Sequence, residues 1–156
     1  MKILVAYYSR TGVTKKAAEL LAEQLSAATE EIKDTVKRAG VTGYVLAGRD
    51  AMQRRLTKLE PIKNDPAEFD LVIIGTPIWS WNMSTPVRTY LTEQKDKFKQ
   101  VAFFCTMGGS GDLKAFKEMG EIVDKRPAAV LSLRTKEVVT GELAKANEFC
   151  QEILNG

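Results

Sequence analysis

Lys2-Ile3-Leu4-Val5-Ala6-Tyr7-Tyr8-Ser9-Arg10-Thr11-Gly12-Val13-Thr14 is the stretch that decides the fold. Residues 3–8 are a short apolar and aromatic run, the composition of a strand buried on both faces. Residues 9–14 form a polar turn around Gly12. From Thr14 the spacing becomes helical, with Ala17, Leu20, Leu21 and Leu25 on one face and Lys15, Lys16, Glu19 and Glu23 opposite. A strand, a tight polar turn and an amphipathic helix in that order begin a parallel α/β unit.

The same alternation continues outward. Residues 30–33 read as a short edge strand. Residues 35–61 are punctuated by Gly40, Gly43 and Gly48, and the spacing of Met52, Leu56 and Leu59 predicts a helix over 49–59. Residues 70–75 (Asp70-Leu71-Val72-Ile73-Ile74-Gly75) form the clearest central strand. A loop with Pro77, Trp79, Trp81 and Pro86 follows over 76–86, then a helix over 87–93. Residues 100–105 read as a buried strand, 106–112 as a glycine-rich loop, 113–124 as a helix, 128–133 as the last strand and 143–154 as a terminal helix. Strands alternating with helices imply right-handed crossovers and a parallel sheet covered on both faces. The expected architecture is an α/β three-layer sandwich with a five-stranded parallel sheet in the order 2-1-3-4-5. It forms one domain over residues 1–156, without repeats or linkers. Such sheets bind ligands beyond the carboxyl ends of the strands where the strand order reverses. The loops 9–14, 76–86 and 106–112 meet there.

Composition narrows the chemistry. The chain has 156 residues, 44% apolar and 28% charged, ordinary values for a globular domain. No window reaches the roughly eighteen apolar residues of a membrane span. The first residues lack the features of a secretory signal, so a cytoplasmic protein is expected. There is no histidine, and Cys105 and Cys150 have no metal-ligand spacing. A Ser-His-Asp triad and the common zinc sites are thereby excluded. A chain of this kind uses other groups or borrows its chemistry from a cofactor. The net charge of +3 is uneven: residues 33–63 hold eight basic and three acidic residues. No aromatic ladder or binding motif accompanies this basic stretch, so nucleic acid is not expected as a partner.

Each loop has its own chemistry. Ser9-Arg10-Thr11-Gly12-Val13-Thr14 lies between strand and helix, where unpaired N–H groups and the positive dipole end favour an anion. Ser9, Thr11 and Thr14 add hydroxyls. The same residues could instead cap their own helix. Neither the GxxxxGK[ST] phosphate loop nor the GxGxxG dinucleotide turn is present. Thr76-Pro77-Ile78-Trp79-Ser80-Trp81-Asn82 suits a planar heteroaromatic ligand lying along an indole; alternatively Trp79 and Trp81 pack beneath the loop. Thr106-Met107-Gly108-Gly109-Ser110-Gly111 presents closely spaced backbone N–H groups and few side chains, either toward a ligand's polar edge or as a flexible helix start.

These elements, running from Lys2 through Thr14, from Ile74 through Trp79 with Pro86 downstream, and from Thr106 to Asp112, together resemble the flavodoxin family over nearly the whole chain. The resemblance implies a non-covalent FMN. Ser9, Arg10, Thr11, Gly12, Val13 and Thr14 would hold its phosphate. Thr76, Pro77, Ile78 and Trp79 would line the ring, and Thr106, Met107, Gly108, Gly109 and Gly111 would meet its pyrimidine edge. Three departures stand out. Family carriers are usually acidic, and this chain is basic. Residues 78–84 lack the glycine that helps stabilise a half-reduced flavin, with Asn82 the residue there most tolerant of positive φ. Residues 105–112 lack a second aromatic to cover the ring's outer face. The expected partners are therefore a redox protein or NAD(P)H or a quinone, with carrier and oxidoreductase both open. The basic segment 34–61 is either a solvated face or a lid whose Arg38, Arg49, Arg54 or Arg55 meets an anionic substrate. Cys105 is either a reactive thiol or a small buried apolar residue.

Overall fold

The apolar run of the opening stretch forms strand β1 (Ile3–Tyr7), and the polar turn leads into helix α1 (Val13–Leu25). The computed structural model describes residues 1–156. After α1 come β2 (Ala28–Glu31), α2 (Gly40–Met52), β3 (Leu71–Trp79), β4 (Asn82–Met83), α3 (Thr85–Gln94), β5 (Gln100–Met107), α4 (Asp112–Val123), β6 (Val130–Arg134), α5 (Thr135–Thr140) and α6 (Ala144–Asn155). The sheet order is β2-β1-β3-β5-β6, all parallel, with β4 folded back antiparallel on the end of β3. Apart from that hairpin strand, this is the expected 2-1-3-4-5 order.

The period of two along each strand divides the core between the two faces. Leu4, Ala6, Val72, Ile74, Val101 and Phe103 face one side, where Val87, Tyr90 and Leu91 of α3 and Phe116 and Met119 of α4 cover them. Ile3, Val5, Ile73, Ala102, Phe104 and Leu131 face the other, under Leu21 and Leu25 of α1 and Phe149 and Ile153 of α6. Both layers are needed because a parallel sheet has no face suited to water.

Three expectations need correction. The helix in the basic segment spans Gly40–Met52, not 49–59. Residues 53–54 turn the chain out of the helix, 55–58 have no regular structure, and a bridge between Asp34 and Leu59 joins the segment's two ends. Gly43 and Gly48 serve close packing inside the helix and do not mark turns. A Cβ on Gly43 would run into the backbone carbonyl of Arg38, so only glycine allows this helix to begin where it does. The 76–86 loop is largely strand: β3 runs on to Trp79, and a two-residue turn at Ser80 and Trp81 returns the chain into β4. Helix α5 was not expected at all.

Candidate functional site

At the β1–α1 turn Gly12 has φ +96°, and no side chain caps the helix. The Gly12 N–H donates to Ser9 Oγ at 3.0 Å. The N–H groups of Thr11, Val13, Thr14 and Lys15 donate to no protein acceptor. Four donors at the positive end of a thirteen-residue helix make a site for an anion. Of the three hydroxyls, Ser9 is turned to its own backbone, Thr11 is exposed, and Thr14 is buried at 2.7 Å from Thr106 Oγ1. That last contact ties the first loop to the third.

The second and third loops are locked together. Ser80 (φ +47°) and Trp81 (φ +62°) are both left-handed, as a type I′ hairpin turn requires. Asn82, the residue of this loop most tolerant of that conformation, does not adopt it and lies in β4. Its amide donates to the Ser80 carbonyl at 2.7 Å, and its Oδ1 accepts from Lys114 Nζ at 3.0 Å. Trp81 is 64% exposed, and its Nε1 donates to Ser110 Oγ at 3.1 Å. Gly111 has φ +109°, and a Cβ there would come within 2.8 Å of Trp81 Cα and 2.9 Å of Ile78 Cγ2. The hairpin thus rests directly on the third loop.

A cleft of about 330 Å³ opens between these loops, lined by Tyr44, Ile78, Ser80, Trp81, Gly108, Gly109 and Ser110. A larger groove of about 650 Å³ lies beside Met1, Leu71 and Gln100. It is at the amino ends of the strands, the opposite end of the sheet from the β1–α1 turn and the hairpin, where open parallel sheets do not bind their ligands. Ile78, Gly108 and Gly109 stand in the cleft, with Pro77 half-buried beside Ile78. Thr76 is fully buried: its hydroxyl bonds Ser84 Oγ and the Pro77 carbonyl and accepts from the Ser84 N–H. Thr106 and Met107 are likewise buried. Trp79 does not lie along the cleft. Only 8% exposed, it meets Tyr8 edge-on at 5.4 Å. The strand period explains this, since Ile78 and Trp79 must point to opposite faces. The indole beside the cleft is Trp81.

Sequence reasoning missed Tyr44. It extends from α2, 65% exposed, with the Arg10 guanidinium 5.3 Å from its ring centre. Only a helical register begun at Gly40 would have brought it forward. Arg38 is also not where it was expected. Its side chain is 1% exposed, with Nε donating to Asp34 at 2.6 Å and Nη1 to Asp50 at 2.9 Å, and it lies 5.4 Å from the Trp79 ring centre. It anchors the segment from within. Burial works to raise the Asp50 pKa, but hydrogen bonds from Arg38 and Arg49 outweigh it and hold the carboxyl below its ordinary value. Arg54 reaches Glu118 at 2.9 Å, and Arg88 holds the other oxygen of that carboxylate. Burial pushes the Tyr8 hydroxyl up to about 12, with Asp34 adding to the shift. Burial also raises the Cys105 thiol to about 12, which makes it a core residue and a poor nucleophile.

The flavodoxin family model matches residues 2–147. A flavoprotein of Lactobacillus acidophilus, crystallised in complex with FMN, is 26% identical with a TM-score of 0.71, over 90% of this chain and 97% of that one. Two others share the fold at 15% identity and a TM-score of 0.58. One is an NADH:FMN oxidoreductase in its apo form, matched over 99% of this chain and 88% of its own. The other is the two-electron reduced flavodoxin of Megasphaera elsdenii, matched over 96% and 93%. A comparison of the sequence with functionally curated proteins gives no match. A match over nearly the whole chain, on the strand order and loops described above, places this protein in the flavodoxin family.

Proposed function

We propose that this protein binds one FMN non-covalently at the carboxyl ends of β1, β3 and β5 and serves in electron transfer through it. The observation that carries the proposal is the set of N–H groups at Thr11, Val13, Thr14 and Lys15, unmatched by any protein acceptor at the start of α1. A phosphate monoester is dianionic at neutral pH and suits those donors. Arg10 and the exposed Thr11 hydroxyl stand in the same turn. The cleft supports the other half of the ligand. Trp81 and Tyr44 offer aromatic surface to a flat ring, while Gly108, Gly109 and Ser110 present backbone at its edge. Bound there, the flavin would supply the oxidation–reduction chemistry. The residues around it bind, orient and partly shield it.

A second reading, an NAD(P)H-dependent oxidoreductase, is favoured by one feature. The third loop contributes Gly108, Gly109 and Ser110 to the cleft and no aromatic, which leaves room for a second planar reactant.

Titration of the purified protein with FMN tests the main reading. Saturable one-to-one quenching of flavin fluorescence, with a shifted visible spectrum, is expected. A protein that leaves the flavin spectrum unchanged at high concentration overturns it. Anaerobic mixing of the holoprotein with NADH or NADPH separates the two roles, since rapid bleaching marks direct hydride acceptance and a stable yellow colour marks a carrier.

A further inference from the structure

Helix α2 is apolar on two opposite sides. Gly43, Ala47 and Ala51 face the protein. Val41, Tyr44, Val45 and Met52 recur at i, i+3, i+4 and i+11, a single stripe on the outer side, each between 64% and 83% exposed. Gly48 completes the stripe at i+7 and sits against Ser80, so the stripe runs onto the hairpin and its exposed Trp81. The patch is therefore continuous with the lip of the cleft, which Tyr44 and Trp81 themselves line. A contiguous apolar area of this kind marks a contact surface.

The charge around it names the partner. The exposed charged side chains between residues 35 and 59 are Lys37, Arg49, Arg54, Arg55 and Lys58, all basic, with Arg54 paired to Glu118 and one exposed acid, Glu60, just beyond. The one acid in that span, Asp50, is buried and engaged by Arg38 and Arg49. We infer that the outer face of α2 with Trp81 is the docking surface for an acidic redox protein, which seats its own cofactor edge against the flavin cleft. This rests on the flavin reading above. The arrangement is an aromatic and apolar centre with a charged rim, the usual anatomy of a specific interface. A second copy of this chain fits poorly. A two-fold interface on this face would set the basic segment against its own copy, a like-charge juxtaposition that disfavours it.

The test uses a plant-type [2Fe–2S] ferredoxin as the acidic probe and cytochrome c as the basic one, followed by titration calorimetry and amide chemical shifts. The protein is used with and without added FMN. Ferredoxin should bind and perturb α2 and the hairpin, with Kd rising about tenfold or more as salt is raised from about 20 to about 200 mM. The double variant Lys37→Glu/Arg55→Glu should weaken binding about tenfold or more, and Val45→Ser should weaken it without altering its salt dependence. Flavin binding, read from quenching, should be unchanged in both. Cytochrome c should not bind the wild type. The inference is overturned by flavin binding without ferredoxin binding, by equal binding of cytochrome c, or by indifference to the charge reversal. It is also overturned if phosphatidylserine vesicles or a second copy of the chain, seen by sedimentation, occupy α2 in place of ferredoxin. Ferredoxin docking on a protein that ignores FMN would uphold the surface and remove the flavin reading instead.

Discussion

Replacing Arg38 by Met keeps the aliphatic stem and removes the guanidinium that holds the basic segment to the rest of the domain. Asp34 would keep the Val36 N–H at 3.0 Å and the Thr57 hydroxyl at 2.7 Å, but its Oδ2 would lose its partner. Asp50 would keep only Arg49 at 3.2 Å. These side chains are 2% and 11% exposed, so water cannot readily replace the lost bonds. Breaking a buried pair from one side costs about 3–5 kcal/mol. Loss of the cation from the Trp79 face adds about 0.5–1 kcal/mol. With the remaining partners softening the loss, about 3–4 kcal/mol is expected, a large share of the total stability of a domain. The pH dependence gives an independent sign. In the wild type the Asp50 pKa is lowered on folding, so its contribution is present above the unfolded value of about 3.9 and lost as pH falls through the folded one. Without Arg38 much of that contribution is absent. The gap between the two proteins should be full above about pH 5 and should narrow below about pH 4. Urea melts followed by tryptophan fluorescence at a series of pH values measure it, with hydrogen exchange in α2 locating the change. Should Arg38→Met fail to fold, Asp50→Asn leaves Arg38 bound to Asp34 and should cost about 1–2 kcal/mol. A loss under about 1 kcal/mol at neutral pH, or a gap that widens on acidification, would refute the reasoning.

Other outcomes follow from the same geometry. Gly111→Ala meets both a positive φ and the backbone of Trp81, and should cost about 2–5 kcal/mol in urea melts. Gly108→Ala, with open space and no positive φ, should stay within about 0.5 kcal/mol. Trp81→Ala should weaken FMN binding with little change in melting, whereas Trp79→Ala should cost about 3–5 kcal/mol as a core truncation. Neither cysteine should react with Ellman's reagent at pH 8 until denaturant is added, because burial raises Cys105 to about 12 and Cys150 to about 11. FMN affinity should fall as pH drops below about 6, where the phosphate loses its second charge; no histidine is present to share that titration.

The layered sheet was legible because its strands are buried on both faces and read as unbroken apolar runs, as in 71–74 and 101–105. The turn at 9–14 was legible because an apolar run gives way to helical spacing across Gly12. Helix α2 was hidden by glycines whose purpose is long-range. Gly43 clears the Arg38 backbone and Gly48 clears Ser80, and neither constraint is visible until both segments are placed. The hairpin at Ser80 and Trp81 lacks the Asn-Gly signature of its turn, so local sequence gave no warning. That hairpin decides which indole is buried. Trp79 and Trp81, two residues apart, would share a face in a continuous strand, and the left-handed turn at Ser80 and Trp81 sends one to Tyr8 and the other to the cleft. Tyr44 entered the site from a helix whose register could not be assigned beforehand.

The central claim is that the turn from Ser9 to Thr14 grips a flavin by its phosphate. Competition between FMN and riboflavin for the purified protein isolates that one group, since the two ligands share the ring and ribityl chain. One or two charge-assisted hydrogen bonds, each roughly 1.5–3 kcal/mol, predict that FMN binds about a hundredfold or more tighter. Equal affinity for the two would contradict the claim and place the binding energy elsewhere.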